Sequence, residues 1–122
     1  MTNALPFASL HRHGFVRVAT ATPKVHVADP AANMRATIER IEAADAAHAD
    51  LLVLPELGLS GYAVDDLLTQ DALLDAVEDA IAGIATASRA LRPVILLGAP
   101  VRRNNRLYNC AIVVARGRIL GV

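Results

Sequence analysis

The stretch Asp50-Leu51-Leu52-Val53-Leu54-Pro55-Glu56-Leu57-Gly58-Leu59-Ser60-Gly61-Tyr62 decides how this chain folds. Leu51 to Leu54 form a continuous run of large apolar residues, the pattern of an interior strand buried on both faces. Pro55 has no N–H to offer a neighbouring strand, so the ladder must stop there. Glu56 then stands where the strand emerges. A carboxylate at the end of an apolar strand lies near a pocket floor and is partly desolvated, which is where a general base is useful. Gly58 and Gly61 permit sharp turns, and Tyr62 can return a ring and a hydroxyl toward the same place.

Working outward, strand and helix signals alternate. Phe15 to Thr22 alternates apolar and polar residues and predicts a strand. Asp29-Pro30 is a helix start, with an N-capping carboxylate and proline at the first helical position. Met34, Ile38 and Ile41 recur at helical spacing and should face the sheet, and the helix should end near His48. Asp71 is placed to cap a second long helix that buries Leu74, Val77, Ile81 and Ile84. Its acidic residues Asp75, Glu78 and Asp79 fall largely on the other, solvated side. Val94 to Leu97 reads as a strand closed by Gly98-Ala99-Pro100. Arg102 to Arg106 reads as a basic connection, Leu107 to Ala115 as a strand, and Arg116-Gly117 as a hairpin turn. This order predicts an α/β sheet with helices on one face.

Composition narrows the function classes. The chain has 122 residues, room for one domain at most, and 54% of them are hydrophobic. Only 3% are aromatic, so the core must be built from aliphatic side chains. Net charge is zero and the basic residues are scattered, which argues against a nucleic-acid partner. The single cysteine excludes an internal disulfide. No apolar run approaches the roughly 20 residues that span a bilayer, and His11, Arg12 and His13 interrupt the N-terminal apolar stretch. These features predict a soluble, cytoplasmic chain with no membrane partner.

The run Pro55-Glu56-Leu57-Gly58-Leu59-Ser60-Gly61-Tyr62 resembles the glutamate motif of the nitrilase (carbon–nitrogen hydrolase) superfamily. Its members attack amides or nitriles with a Glu-Lys-Cys triad. The continuation Asp65-Asp66-Leu67-Leu68-Thr69-Gln70-Asp71-Ala72-Leu73-Leu74-Asp75-Ala76-Val77-Glu78-Asp79-Ala80 is similar to that of glutamine-dependent NAD+ synthetases. So are His13-Gly14-Phe15-Val16-Arg17-Val18-Ala19 and Asp29-Pro30-Ala31-Ala32-Asn33. The resemblance implies the first part of a four-layer α-β-β-α sandwich, so that residues 1–122 are the N-terminal portion of a glutaminase domain. It implies glutamine as substrate and ammonia passed to a C-terminal synthetase domain that amidates deamido-NAD+. ATP and Mg belong to that second domain, and the whole assembles as a homo-oligomer. A free-standing amidase of the same superfamily and a non-catalytic half-domain that joins a partner chain are the alternatives.

By the resemblance Glu56 is the catalytic base, taking the thiol proton and later activating the water that hydrolyses a glutamyl thioester. Tyr62 is the candidate substrate-binding residue, lining the glutamine pocket or buttressing Glu56, with ordinary turn packing as the alternative. Lys24, the only lysine, follows the first strand and does not match the triad position. Ile119 to Val122 looks like a strand beginning where the sequence stops, so a longer domain carrying the lysine and the nucleophilic cysteine is expected. Cys110 lies inside the run Asn109-Cys110-Ala111-Ile112-Val113-Val114 and reads as a small buried hydrophobe rather than a nucleophile. His11 and His13 form an H-x-H pair without the carboxylate or cysteine company of a metal site. Gly98 permits close backbone approach and belongs to no phosphate loop. Arg102, Arg103 and Arg106 form a small basic cluster, either a solvated loop or a contact with acidic surface on a neighbouring domain or subunit.

Overall fold

A computed structural model describes residues 5–122. Five strands form one sheet in the order β1-β2-β3-β4-β5: β1 Val18–Thr20, β2 Leu51–Val53, β3 Val94–Arg103, β4 Arg106–Ala115 and β5 Arg118–Gly121. The first three run parallel, and β3, β4 and β5 are antiparallel neighbours. Parallel neighbours need crossovers, which are supplied by helices α1 (Pro30–Ala46) and α2 (Asp71–Ala87). Ile41 and Ala44 of α1 share one apolar cluster with Val77, Ile81 and Ile84 of α2 and with Leu52, Ile95, Leu97, Ile112 and Val114 of the sheet. Both helices therefore lie on one face. One helix layer on one sheet is half of an α-β-β-α sandwich.

The strand at Leu51 behaves as its sequence implies, with one difference. It lies between β1 and β3, and Leu52 is completely buried beneath the helices. Leu51 and Val53 point to the other face and are only half-buried, as is Leu96 opposite Val53. Val113 follows next to Leu96, so an apolar strip runs across the helix-free face. The Leu54 N–H still donates to the Leu96 carbonyl at 2.9 Å, and the ladder then ends at Pro55.

At the opposite end of β2, Asp50 ties the sheet together. Its Oδ2 accepts from the Arg17 N–H and contacts His11 Nε2, each at 2.8 Å. These bonds hold the Asp50 carboxyl below the usual carboxylate range, the backbone donor of Arg17 contributing most. The expected first strand is shorter than Phe15 to Thr22. Phe15 and Val16 are exposed, because β1 is the edge of the sheet and its pairing with β2 covers three residues.

Two helix expectations need correction. Asp29 does cap α1, its Oδ1 accepting from Ala32 N–H at 2.9 Å ahead of Pro30. The buried stripe of α1, however, is Pro30, Asn33, Thr37, Ile41 and Ala44, with Met34 and Ile38 at its margin. The N-cap of α2 is Gln70, and Asp71 is the first helical residue, bonded to Arg102. Leu74, Val77, Ile81 and Ile84 are buried as the spacing predicts.

The third strand does not close at Gly98-Ala99-Pro100 but runs on to Arg103 and turns directly into β4 through Asn104-Asn105. Both asparagines have positive φ, 51° and 57°, as a tight two-residue hairpin requires. Pro100 survives inside the strand for a geometric reason. Val94 N–H donates to Asp50 and the Leu96 carbonyl accepts from Leu54, so even-numbered residues of β3 turn their backbone toward β2. Pro100 follows in that alternation, and β2 has already left the ladder. Its missing N–H costs no bond.

Candidate functional site

The loop after β2 is pinned on alternate residues. Leu57 and Leu59 point into the core, the latter 1% exposed, while Glu56 between strand and loop is exposed and not partly desolvated as its place in the sequence implies. Leu57 carries a positive φ of 49°, unusual for a side chain of that size and worth of order 1–3 kcal/mol of strain. Its carbonyl accepts from Gly61 N–H at 2.8 Å, which closes the turn, and Gly61 supplies a second left-handed residue at φ 85°.

Asn33 holds this loop from behind. It is 2% exposed, yet every polar atom of its side chain is used. Oδ1 accepts from His26 N–H at 2.7 Å, while Nδ2 donates to the carbonyls of His26 at 2.8 Å and Leu59 at 2.9 Å. One amide thus joins helix α1, the loop before it and the loop after Glu56. The bond from Ala28 N–H to the Ser60 carbonyl, 2.9 Å, reinforces the same junction. A buried amide with all bonds made fixes a single arrangement.

On the helix-free face the exit of β2 opens a cleft of about 300 Å³. Its floor and walls are Val53, Leu54, Leu96, Gly98 and Ala111, and its polar groups come from Glu56 and Asn109. The Asn109 side-chain Nδ2 donates to Glu56 Oε1. Gly98 lies under the Glu56 backbone: a methyl group there would stand 2.6 Å from the Pro55 carbonyl oxygen and 2.7 Å from Glu56 Cα. Close backbone approach is thus the role of Gly98, and what approaches is the segment bearing the carboxylate.

The other candidates are placed elsewhere. Tyr62 is 73% exposed and is not among the residues lining the cleft, so the ring does not fold back over Glu56. Cys110 borders the cleft, but alternation along β4 puts its side chain on the face of Ile112 and Val114, where it packs half-buried against the core. Arg102 meets acid within this chain: its guanidinium bonds Asp71 and also Asp75, at 2.8 Å, on α2. Those carboxylates raise the Arg102 pKa further, Asp75 foremost. Within this chain Arg102 is thus already paired, while Arg103 and Arg106 are exposed. His11 goes to Asp50 and His13 Nε2 to the Phe7 carbonyl at 2.8 Å. Among the described residues no three His, Cys, Asp or Glu side chains gather as metal ligands.

Two residues of this region escape a reading of the sequence. Asn109 is one polar residue in an apolar strand, and only its alternation with Ala111 and Val113 hints that it shares the face of Glu56. Asn33 is a polar position on α1, and helical periodicity is carried by apolar residues.

The chain is similar to known proteins in sequence and in fold. The chain is 49% identical over 116 residues to the glutamine-dependent NAD(+) synthetase of Mycobacterium tuberculosis, covering 95% of this chain and 17% of that protein. It is 38% identical over 105 residues to the enzyme of the same name from Xanthomonas campestris, covering 85% and 19%. The chain thus spans less than a fifth of the length of these relatives. Among solved structures, the glutamine-dependent NAD(+) synthetase from Cytophaga hutchinsonii superposes with a TM-score of 0.80 at 28% identity, over 87% of this chain and 18% of that one. An amidase from Nesterenkonia shares the fold at a TM-score of 0.71 and 22% identity, over 87% and 41%. Residues 16–122 match the description "Carbon-nitrogen hydrolase", and with that match covering most of its length, this chain belongs to the carbon-nitrogen hydrolase family.

Proposed function

We propose that these residues form the N-terminal part of the glutaminase domain of a glutamine-hydrolysing NAD+ synthetase. The observation that carries this reading is the Glu56 carboxylate at the exit of β2, facing a cleft with apolar walls on the helix-free side of the sheet. Relatives of that name at 38% and 49% identity support the synthetase over a free-standing amidase, whose likeness here extends to fold alone.

In the full-length enzyme Glu56 takes the proton from a cysteine thiol supplied by another part of the chain. The thiolate attacks the side-chain amide carbon of glutamine, Glu56 returns its proton to the departing nitrogen as the C–N bond breaks, and ammonia leaves. Glu56 then removes a proton from water, which attacks the thioester, releases glutamate and restores the thiol. A lysine, also outside these residues, steadies the oxyanion of each tetrahedral intermediate. Tyr62 stands free at the far end of the motif loop and is assigned to the glutamine side of the site, completed by chain packed over the open face. ATP and Mg serve the separate synthetase domain, which uses the ammonia to amidate deamido-NAD+. A cytoplasmic homo-oligomer is the form in which this enzyme works.

The test is direct. The full-length protein should release glutamate from glutamine, and Glu56→Gln, which keeps shape and removes the base, should lower that rate by about 10²–10⁴-fold. Unaltered glutamate release by the variant would remove Glu56 from the chemistry.

A further inference from the structure

We infer that Asn109 is a positioning residue for the Glu56 carboxylate, its amide holding Oε1 and leaving Oε2 to transfer the proton. The inference rests on the reading of Glu56 as the base and assigns the group that aims it. Glu56 is exposed, and an unrestrained glutamate samples many rotamers, whereas a base must be held close to one geometry. Its backbone is set by Gly98 and by the pinned loop, which leaves the side-chain torsions to be fixed. Among the described residues Asn109 is the one side chain bonded to it.

The bond also has the right origin. Asn109 sits on β4, paired with Pro100 in a long antiparallel ladder, so it moves with the sheet and not with the motif loop. A carboxylate only accepts, so the amide presents its N–H side to Glu56. A neutral donor orients the carboxylate without forming the ion pair that lysine or arginine would make there, so the group remains available as a base. Gly98 on β3 and Asn109 on β4 thus fix the backbone and the carboxylate of one residue from adjacent strands.

The experiment is a mutant cycle in the full-length enzyme, measuring kcat and KM for glutamine and synthesis from ammonium. Asn109→Leu keeps the size without the donor; Asn109→Ser, too short to reach, replaces it should the leucine variant misfold. The expected result is a fall of about 10²-fold in kcat for glutamine, the scale of a misplaced catalytic group. KM should change little, and the ammonium-supported rate should not change. In a Glu56→Ala background the same change should cost nothing more, because a residue acting through Glu56 has nothing left to position. Undiminished kcat in the Asn109 variant, or a full additional loss in the Glu56→Ala background, overturns the inference while leaving the base reading intact. Full glutamine activity in Glu56→Ala alone overturns the base reading, and this inference with it.

Discussion

Gly98 lies directly beneath Glu56: a Cβ on Gly98 would stand 2.7 Å from the Glu56 Cα. The obstructing atoms belong to the backbone of Pro55, Glu56 and Leu57, which cannot swing aside as a flexible side chain would. Gly98→Ala should therefore lift the loop from β3. A loss of about 1–3 kcal/mol of stability is expected, the usual scale of overpacking. Glutamine hydrolysis by the full-length enzyme should fall with it. Denaturant unfolding and a glutaminase assay on the same preparation check both halves, and an alanine variant with native stability and rate would show that the space is not needed.

Asn33→Ala should be costly for a different reason. It strands the His26 N–H and the carbonyls of His26 and Leu59, all of which the buried amide now satisfies. Only the Leu59 carbonyl is left unpaired in the interior, the His26 groups being part-buried, so a loss of about 1–3 kcal/mol in all is expected. Asn33→Asp should restore little, since it cannot donate to either carbonyl. Equilibrium unfolding midpoints of the two variants test this.

These two positions show what the sequence reveals and what it hides. Leu51 to Glu56 was legible because an apolar run, a proline and a charge each constrain the backbone locally. The turn at Arg116-Gly117 was legible for the same reason. The long β3–β4 hairpin was not, because Gly98 and Pro100 are ordinary strand breakers. Their tolerance depends on what lies beside them: Gly98 sits beneath the Glu56 loop, and Pro100 lies beyond the end of β2. Asn33 and Asn109 were hidden likewise, since a polar residue at a strand or helix position reads as solvated until its partner is known. Asp71 is a residue type that favours caps, yet Gln70 caps the helix and Arg102 on β3 claims the Asp71 carboxylate.

Cys110 offers a negative test. Its side chain packs half-buried on the core side of β4, opposite Ala99. Alkylation of the folded protein should be slow compared with the unfolded chain. Cys110→Ala should retain glutamine hydrolysis, at a cost of about 1 kcal/mol in stability. Rapid stoichiometric labelling of Cys110 by a glutamine-mimicking electrophile would contradict its structural assignment.

Asp50 predicts a pH dependence. The Arg17 N–H and His11 hold its folded-state pKa below the ordinary carboxylate value of 3.8. A depressed carboxylate pKa stabilises the fold above the unfolded value, and that contribution is lost as pH falls through the folded one. The attachment of β1 and the His11 segment should therefore weaken from about pH 4 downward. Asp50→Asn should be less stable than the parent near neutral pH and should lack this part of the acid dependence. Thermal unfolding measured from pH 7 to pH 3 in both proteins decides the point.

Whether Glu56 serves amide hydrolysis in a glutamine-dependent synthetase is decided by the nitrogen source. In the full-length protein, NAD+ synthesis by Glu56→Ala is measured with glutamine and, separately, with added ammonium. Synthesis from glutamine should fall by at least about 10²-fold, the scale of a lost general base, while synthesis from ammonium is kept because free ammonia needs no hydrolysis. Equal loss with both sources would assign Glu56 to folding or assembly, and no synthesis from either source in the unmutated protein would contradict the synthetase reading itself.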